Sequence, residues 1–149
     1  MIGPDDTALI SQVEELEEWL QGGVAAKLDD GGVCLVALDG ETVAGFNIVA
    51  FGRVEMPLVK THRDFGKGNA WSEQITVNNR YRGKGLGAEL RYRIFAELKE
   101  RGVRRFYGGT LSDNEPNLKL TRKVGFTEIA DIRYCKRFTT KSWSCTRVR

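Results

Sequence analysis

The chain has 149 residues, of which 41% are hydrophobic and 29% are charged, and its net charge at neutral pH is +3. This length and composition predict one folded domain over residues 1–149 and exclude a disordered chain. The sequence has no apolar run long enough to cross a membrane, and residues 1–6 lack the basic and apolar regions of a signal peptide. We therefore expect a cytoplasmic protein with no membrane partner, and so small a net charge does not by itself indicate a nucleic-acid partner.

Hydrophobic periodicity and turn residues predict an alternation of helices and strands. In chain order, the predicted elements are a helix over residues 5–21, a helical turn over 24–28, a hairpin of strands over 33–38 and 42–51, a loop over 52–69, a strand over 70–77, a helix over 85–100, a strand over 103–110, a short helix over 114–124, and two final strands over 126–138 and 143–148. The long polar loop can continue the preceding strand at its start, and loops of this length are often functional. This order predicts a mixed α/β layer architecture.

Three glycines, Gly83, Gly85 and Gly87, alternate with other residues between a predicted strand and an amphipathic helix. Glycine lets a ligand approach the backbone, and the free amides at a helix N-terminus carry a partial positive charge. Such a turn favours a phosphate or pyrophosphate, and Arg82 and Lys84 add positive charge. The spacing excludes a P-loop, and it also differs from the Gly-x-Gly-x-x-Gly of dinucleotide-binding folds.

A second motif follows the next predicted strand. Asn114 opens a short helix that ends in Gly125 and Phe126. Together with the Arg-x-x-Gly-x-Gly of the glycine-rich segment, in this order and with a strand between them, it resembles the GNAT (GCN5-related N-acetyltransferase) superfamily. The resemblance covers roughly residues 33–138.

The resemblance implies an α/β fold with a mostly antiparallel sheet that splays at a central parallel strand pair and is flanked by helices. The family usually begins with a strand before its first helix, whereas only four residues precede Asp5 here. The first strand is therefore expected to be missing, very short or supplied by another chain. A sheet edge exposed in this way favours a homodimer.

The resemblance also implies acetyl-CoA as cosubstrate, with the pantetheine arm held in the gap between the splayed strands. We expect no metal, because a single histidine and three widely spaced cysteines offer no pattern of metal ligands. The residues implied for the cofactor are Ile75 and Val77 for pantetheine, Arg82, Gly83, Lys84, Gly85, Leu86, Gly87 and Ala88 for pyrophosphate, and Asn114 near the pantetheine end. The amide of Val77 is also suited to stabilise the thioester oxygen.

The implied reaction is direct attack of a primary amine on the acetyl thioester in a ternary complex. Glu73, four residues before Val77, is either the base that takes the amine proton or a solvated or ion-paired strand residue. The tyrosine that usually protonates the leaving thiolate, seven residues after the asparagine, is Thr121 in this chain. Thr121 can still contact the sulfur, Tyr134 on the following strand can replace it, or the thiolate leaves without a dedicated acid.

The sequence does not name the acceptor, which is a small-molecule or peptide amine. The alternative function is a catalytically degenerate domain that binds acyl-CoA as a sensor or scaffold, and Thr121 is the feature that favours it. A weaker alternative is nucleic-acid binding by basic clusters, including the C-terminal segment up to Arg149. If the final turn centres on Thr140, Cys135 and Cys145 lie nearly opposite each other, and we expect both as reduced thiols.

Overall fold

The computed structural model describes residues 1–148; Arg149, which ends the basic C-terminal segment, lies outside the described residues. The helices are α1 (Thr7–Leu16), α2 (Val24–Asp29), α3 (Leu86–Glu100) and α4 (Glu115–Lys123). The strands are β1 (Val33–Asp39), β2 (Thr42–Ala50), β3 (Arg53–Met56), β4 (Thr61–Asp64), β5 (Asn69–Val77), β6 (Arg105–Gly108), β7 (Ala130–Arg137) and β8 (Thr140–Arg147). Within residues 1–148, no helix combines the length and the apolar character that crossing a membrane requires.

The main sheet has four strands in the order β1-β2-β5-β6. The pairs β1–β2 and β2–β5 are antiparallel, while β5 and β6 are parallel. The parallel pair is short, because it runs only from Asn69 opposite Arg105 to Ser72 opposite Gly108. β5 then continues to Val77, still paired with β2 but with no strand on its β6 side, so the expected mixed sheet with an open gap at a parallel pair is confirmed.

β2 is the central strand against which both layers of helices pack, and seven of its nine residues are buried. Its consecutive residues Ile48 and Val49 join different clusters: Ile48 packs with residues of α1 and α2, and Val49 packs with residues of α3. Fully burying an aliphatic or aromatic side chain of this size contributes about 1.5–3 kcal/mol. A strand anchored on both faces fixes β5 beside it, and thereby the position of the gap.

The first helix is shorter than the predicted residues 5–21. α1 ends at Leu16, Glu17 is extended, and a 3-10 turn follows over Glu18–Leu20. The Thr76 hydroxyl donates a hydrogen bond to Glu17 Oε1 at 2.5 Å. The helix ends early where this contact with β5 turns Glu17 toward the sheet, and no local sequence pattern reports such a contact.

The predicted loop over residues 52–69 contains a separate hairpin, β3–β4, with Arg53 opposite Asp64 and Glu55 opposite His62. Only Val54 of its eight strand residues is buried. Strands of four residues with a single buried side chain have no alternating pattern to recognise, which explains why the sequence indicated a loop.

In place of the family's first strand, Ile2 forms one antiparallel bridge with Cys34 of β1. The Ile2 amide donates to the Cys34 carbonyl at 3.0 Å, and the Ile2 side chain is buried in the cluster beneath α1 and α2. This single bridge fits the very short first strand among the sequence expectations, and a strand supplied by another chain stays a prediction.

β7 and β8 form a third, largely exposed two-stranded sheet that turns at residues 138–139. Cys135 lies opposite Ser142, and Cys145 lies opposite Ile132. The expectation that Cys135 and Cys145 face each other is therefore wrong, because the turn comes earlier than Thr140. Cys34, Cys135 and Cys145 are all free thiols.

We expect two cysteines to react quickly with a colorimetric thiol reagent at mildly alkaline pH, and the third only after unfolding. Cys135 and Cys145 are exposed, whereas burial raises the pKa of the Cys34 thiol to about 12 and keeps it protonated. Stopped-flow absorbance of native and denatured protein measures the three rates. Three fast thiols would contradict the burial of Cys34, and fewer than two in protein prepared without reductant would indicate a disulfide.

Candidate active site

A cleft of about 930 Å³ connects the glycine-rich turn before α3 with the gap between β5 and β6. It continues past the end of α1 and the β3–β4 hairpin, where Glu17, Trp19 and Glu55 contribute to its wall. The predicted cofactor loop and the long segment after β2 therefore line the same cavity.

The cleft enters the sheet at an irregularity in β5. Gln74 pairs with Ile48 and Ser72 pairs with Val49, so Glu73 has no partner residue on β2. This extra residue is a β-bulge, which turns the following side chains to the other face and lets a strand bend away. The bulge lies directly after Ser72, the last residue of β5 that pairs with β6, so the pairing with β6 ends where the pairing with β2 is interrupted for one residue.

The glycine-rich turn presents backbone amides to the cleft. Gly83 and Gly85 adopt φ angles of +76° and +85°, and Gly85 is the N-cap residue of α3. Among the described residues, the amides of 83–87 donate no backbone hydrogen bond, whereas the Ala88 amide donates to the Gly85 carbonyl at 3.0 Å. The free donors therefore end at Gly87, one residue earlier than the sequence expectation, which included Ala88.

The charges around this turn fit a pyrophosphate group. The Arg82 Nε donates to the Val77 carbonyl at 2.9 Å, which holds its guanidinium beside the turn. Lys84 Nζ lies 6.0 Å from the centroid of the Tyr81 ring. Free amides at the positive end of a helix, with two cations beside them, form an anion site. In this arrangement the Val77 carbonyl is already occupied by Arg82.

The remaining predicted cofactor residues lie at both sides of the cleft. Ile75 and Val77 line it from β5, and Asn114 lines it from the start of α4. The Asn114 side chain accepts a hydrogen bond from the Asn117 amide at 3.2 Å and so caps α4. Of the other predicted residues, Arg82, Gly83, Gly85, Leu86 and Gly87 also line the cleft, whereas Lys84 and Ala88 do not.

Glu73 reaches the cleft as one half of an ion pair. Its Oε1 accepts a hydrogen bond from Lys27 Nζ of α2 at 2.5 Å, and its side chain is only 7% exposed. Its second oxygen, Oε2, is buried and has no hydrogen-bond partner within residues 1–148. A buried acceptor without a partner costs free energy, so Oε2 is the atom that a donor in the cleft would satisfy.

The two hydroxyl groups considered as the acid lie elsewhere. The Thr121 hydroxyl donates to the Leu118 carbonyl of its own helix at 3.0 Å. The Tyr134 ring packs on Trp143 of the β7–β8 hairpin, with ring centroids 5.5 Å apart. Neither side chain is among the residues that line the cleft, so the structure does not bring Thr121 or Tyr134 together with Glu73.

Arg91 is the buried charged residue of the cleft that sequence reasoning missed, and Glu17, Trp19 and Glu55 were missed as well. Arg91 lies in α3, is 3% exposed, and lines the cleft from the α3 side of the sheet. The signal was present, since Arg91 follows Leu90 and precedes Ile94 by three residues, which places a charge on the buried side of an amphipathic helix. Burial lowers the pKa of the Arg91 guanidinium to about 10, so it is still protonated at neutral pH.

Residues 5–126 of the chain match the model of the Acetyltransferase (GNAT) family. The chain therefore belongs to the GNAT family of acetyltransferases, as its two motifs indicated. No protein of curated function matches the sequence.

Solved structures of acetyltransferases share the fold. The aminoglycoside N-acetyltransferase AAC(6')-Iy in complex with CoA is 21% identical, covers 89% of this chain and 96% of its own, and superimposes with a TM-score of 0.68. The aminoglycoside acetyltransferase meta-AAC0020 from an uncultured soil metagenomic sample, in complex with sisomicin, is 15% identical over 93% of this chain and 92% of its own, with a TM-score of 0.67. The ribosomal-protein-S18-alanine N-acetyltransferase from Escherichia coli is 20% identical, covers 83% of this chain and 74% of its own, and superimposes with a TM-score of 0.66.

We expect Gly85→Ala to weaken CoA binding at least about tenfold, which corresponds to about 1.4 kcal/mol. The added methyl group meets no protein atom within 4 Å, so it projects into open space at the turn where a phosphate would approach. A positive φ also costs alanine about 1 kcal/mol of folding stability. Calorimetric titration with CoA and thermal unfolding measure the two effects.

Gly40→Ala is the matched control for strain. Gly40 lies in the β1–β2 turn with a φ of +59° and likewise has no atom within 4 Å of the added methyl. It should lose similar stability and keep its affinity for CoA. Equal CoA affinity in both variants would contradict a role of the Gly85 turn in binding the cofactor.

Proposed function

We propose that this GNAT protein transfers the acetyl group of acetyl-CoA to a primary amine by direct attack in a ternary complex. The observation that carries the proposal is the cleft itself, which joins the free amides of residues 83–87 to the buried carboxylate of Glu73 through the gap in the sheet. Such a cavity holds a long cosubstrate at one end and the group that it modifies at the other.

The cosubstrate would lie along β5 and the start of α3. The amides of residues 83–87 and the side chain of Arg82 would bind the pyrophosphate, and Ile75, Val77 and Asn114 would hold the pantetheine arm. Acetyl-CoA supplies the activated acyl carbon and the thiolate leaving group. The Val77 amide is the proposed donor to the thioester oxygen, where negative charge develops during attack.

Glu73 would bind the acceptor amine and act as the base. Lys27 occupies Oε1 and fixes the orientation of the carboxylate, which leaves Oε2 free to accept an N–H of the acceptor. A carboxylate in contact with the attacking nitrogen can take its proton as the C–N bond forms. The ion pair with Lys27 thus serves to position the base and does not compete for the oxygen that acts.

The acceptor end of the cleft favours a cationic amine. Glu17 and Glu55 line it together with Glu73, and Trp19 and Trp71 provide aromatic walls. Trp19 is 49% exposed, although exposed tryptophan is uncommon outside binding surfaces. Carboxylates attract an ammonium, and indole rings bind cations through their faces. Both a small polyamine-like molecule and a basic peptide terminus have this chemistry.

A second function, a domain that binds acyl-CoA as a sensor or scaffold, is favoured by one observation. Thr121 stands where the family usually has a tyrosine, and its hydroxyl is engaged with the Leu118 carbonyl. A domain without a group to protonate the thiolate can bind the cofactor and turn it over slowly or not at all. The two functions differ in turnover and share cofactor binding.

We expect Glu73→Gln to lower kcat with a primary amine by about 10²-fold to 10⁴-fold, the usual contribution of a general base. The amide keeps the size of the side chain and removes its ability to accept a proton. Release of free CoA thiol from acetyl-CoA in the presence of a panel of mono- and polyamines measures the reaction, and calorimetry measures CoA binding, which should remain unchanged.

Glu128→Gln is the control, because Glu128 is exposed, pairs with Arg122 at 2.7 Å and lies outside the cleft lining. It should keep full activity. Tight CoA binding with no amine-dependent thiol release across the panel would decide for the sensor or scaffold. Full activity of Glu73→Gln would remove Glu73 from the mechanism.

A further inference from the structure

The buried polar atoms that lack a hydrogen-bond partner converge on the cleft. Within residues 1–148 there are two such side-chain atoms, Glu73 Oε2 and Arg91 Nε, and both side chains line the same cavity. Glu73 has a counter-ion in Lys27 and a role in the proposed function. Arg91 has neither, and its charge needs an explanation of its own.

Arg91 is held in place by neutral groups. Its Nη1 donates to Asn47 Oδ1 at 3.1 Å and to Ser72 Oγ at 2.5 Å. Its Cζ lies 5.8 Å from the ring centroid of Phe106 and 5.6 Å from that of Phe126. None of these groups, which come from β2, β5, β6 and the segment after α4, ionises, and Arg91 forms no salt bridge with the described residues.

A buried cation without a counter-ion destabilises the fold, because its hydration is lost and no opposite charge replaces it. A methionine or leucine would fill the same space against the rings of Phe106 and Phe126 without that cost. The guanidinium is nevertheless charged at neutral pH, and it is fixed by two hydrogen bonds beside an open cavity. This arrangement fits a site at which a ligand brings the missing negative charge.

The position of Arg91 separates it from the pyrophosphate site. It lies six residues beyond Gly85 along α3, which is about 9 Å of helix. It also contacts Ser72, the last residue of β5 that pairs with β6. Arg91 therefore lies where β5 and β6 are still paired, away from the free amides of the glycine-rich turn. An anion bound by Arg91 would be a different group from the phosphates.

We propose that Arg91 stabilises the CoA thiolate as it leaves, so that a fixed positive charge takes over the role of the tyrosine that Thr121 replaces. The proposal rests on the proposed acetyl transfer. In that step the amine nitrogen bonds to the acyl carbon, the carbon–sulfur bond breaks, and its electron pair stays on sulfur. The amine proton passes to Glu73 Oε2, and the thiolate held near Arg91 takes a proton from water after release.

Three variants separate this role from a structural one. Arg91→Met removes the charge and keeps most of the volume, and Arg91→Lys keeps the charge. Arg93→Met removes a charge from the same helix at a side chain that is 69% exposed and paired only with Glu89. We expect Arg91→Met to unfold at the same temperature or higher, since replacing an unpaired buried ion by an apolar side chain is often stabilising.

The direct readout is the pKa of the CoA thiol in the binary complex, which needs no acceptor. Ultraviolet absorbance of the thiolate against pH measures it, in a background of Cys135→Ser and Cys145→Ser with the free protein subtracted. The reference is the thiol pKa of free CoA, measured in the same way. We expect a value at least about one unit lower in the parent protein and in Arg93→Met, a partial shift in Arg91→Lys, and none in Arg91→Met.

The rate of acetyl transfer should change in parallel with the pKa of the CoA thiol. We expect Arg91→Met to lower kcat by about tenfold or more, in proportion to the lost stabilisation of the thiolate, and to leave the Kd of acetyl-CoA within about threefold. If the parent protein is active but the thiol pKa is unshifted, the role of Arg91 is overturned and the proposed acetyl transfer is not. Failure to bind CoA at all overturns the proposed function as well.

Two further results also overturn the proposal. Parallel loss of folding stability and CoA affinity in Arg91→Met, without rescue by Arg91→Lys, would make Arg91 a structural residue. An effect of Arg91→Met on succinyl-CoA turnover but not on acetyl-CoA turnover would assign the charge to a carboxylate on the acyl group instead of the thiolate.

Discussion

The interruption of pairing between β5 and β6 is the constraint on which the rest of the site depends. The two strands share hydrogen bonds only as far as Ser72 and Gly108, and the bulge at Glu73 breaks the pairing with β2 at the same point. Neither strand can close the gap, because β2 holds β5 on one side and β6 ends. A sheet that must leave backbone groups unpaired beside a cavity is suited to bind an extended ligand arm there.

The polar groups that lack a hydrogen-bond partner within the protein are concentrated around this gap. Glu73 on one face and Arg91 on the other each carry a buried polar atom without a partner, and residues 83–87 carry amides without acceptors. The other buried side-chain polar atoms of the described chain find partners, for example the Asn47 amide with the carbonyls of Ile48 and Gln74. Cores generally satisfy their polar groups, and exceptions collect where a ligand completes them.

Parts of the structure that depend on residues close together in the chain were easier to predict than parts that depend on distant residues. The hairpin β1–β2, the helix α3 and the glycine-rich turn were predicted within a few residues, because each depends on a short local pattern. The hairpin β3–β4 was not, since a single buried residue, Val54, anchors it. The expected position of Cys135 opposite Cys145 was wrong, because register in an exposed hairpin depends on the turn and not on a buried face.

The sequence by itself determined the family, the order of the elements apart from the β3–β4 hairpin, and the glycine-rich turn at the start of α3, because glycine positions and a helix N-terminus are properties of neighbouring residues. The tertiary structure alone decided which charged residues share the cleft. Lys27 and Glu73 are 46 positions apart, and Arg91 and Asn47 are 44 apart. Whether such side chains meet depends on how the two helical layers pack on β2 and on the bulge in β5, and no local pattern encodes either.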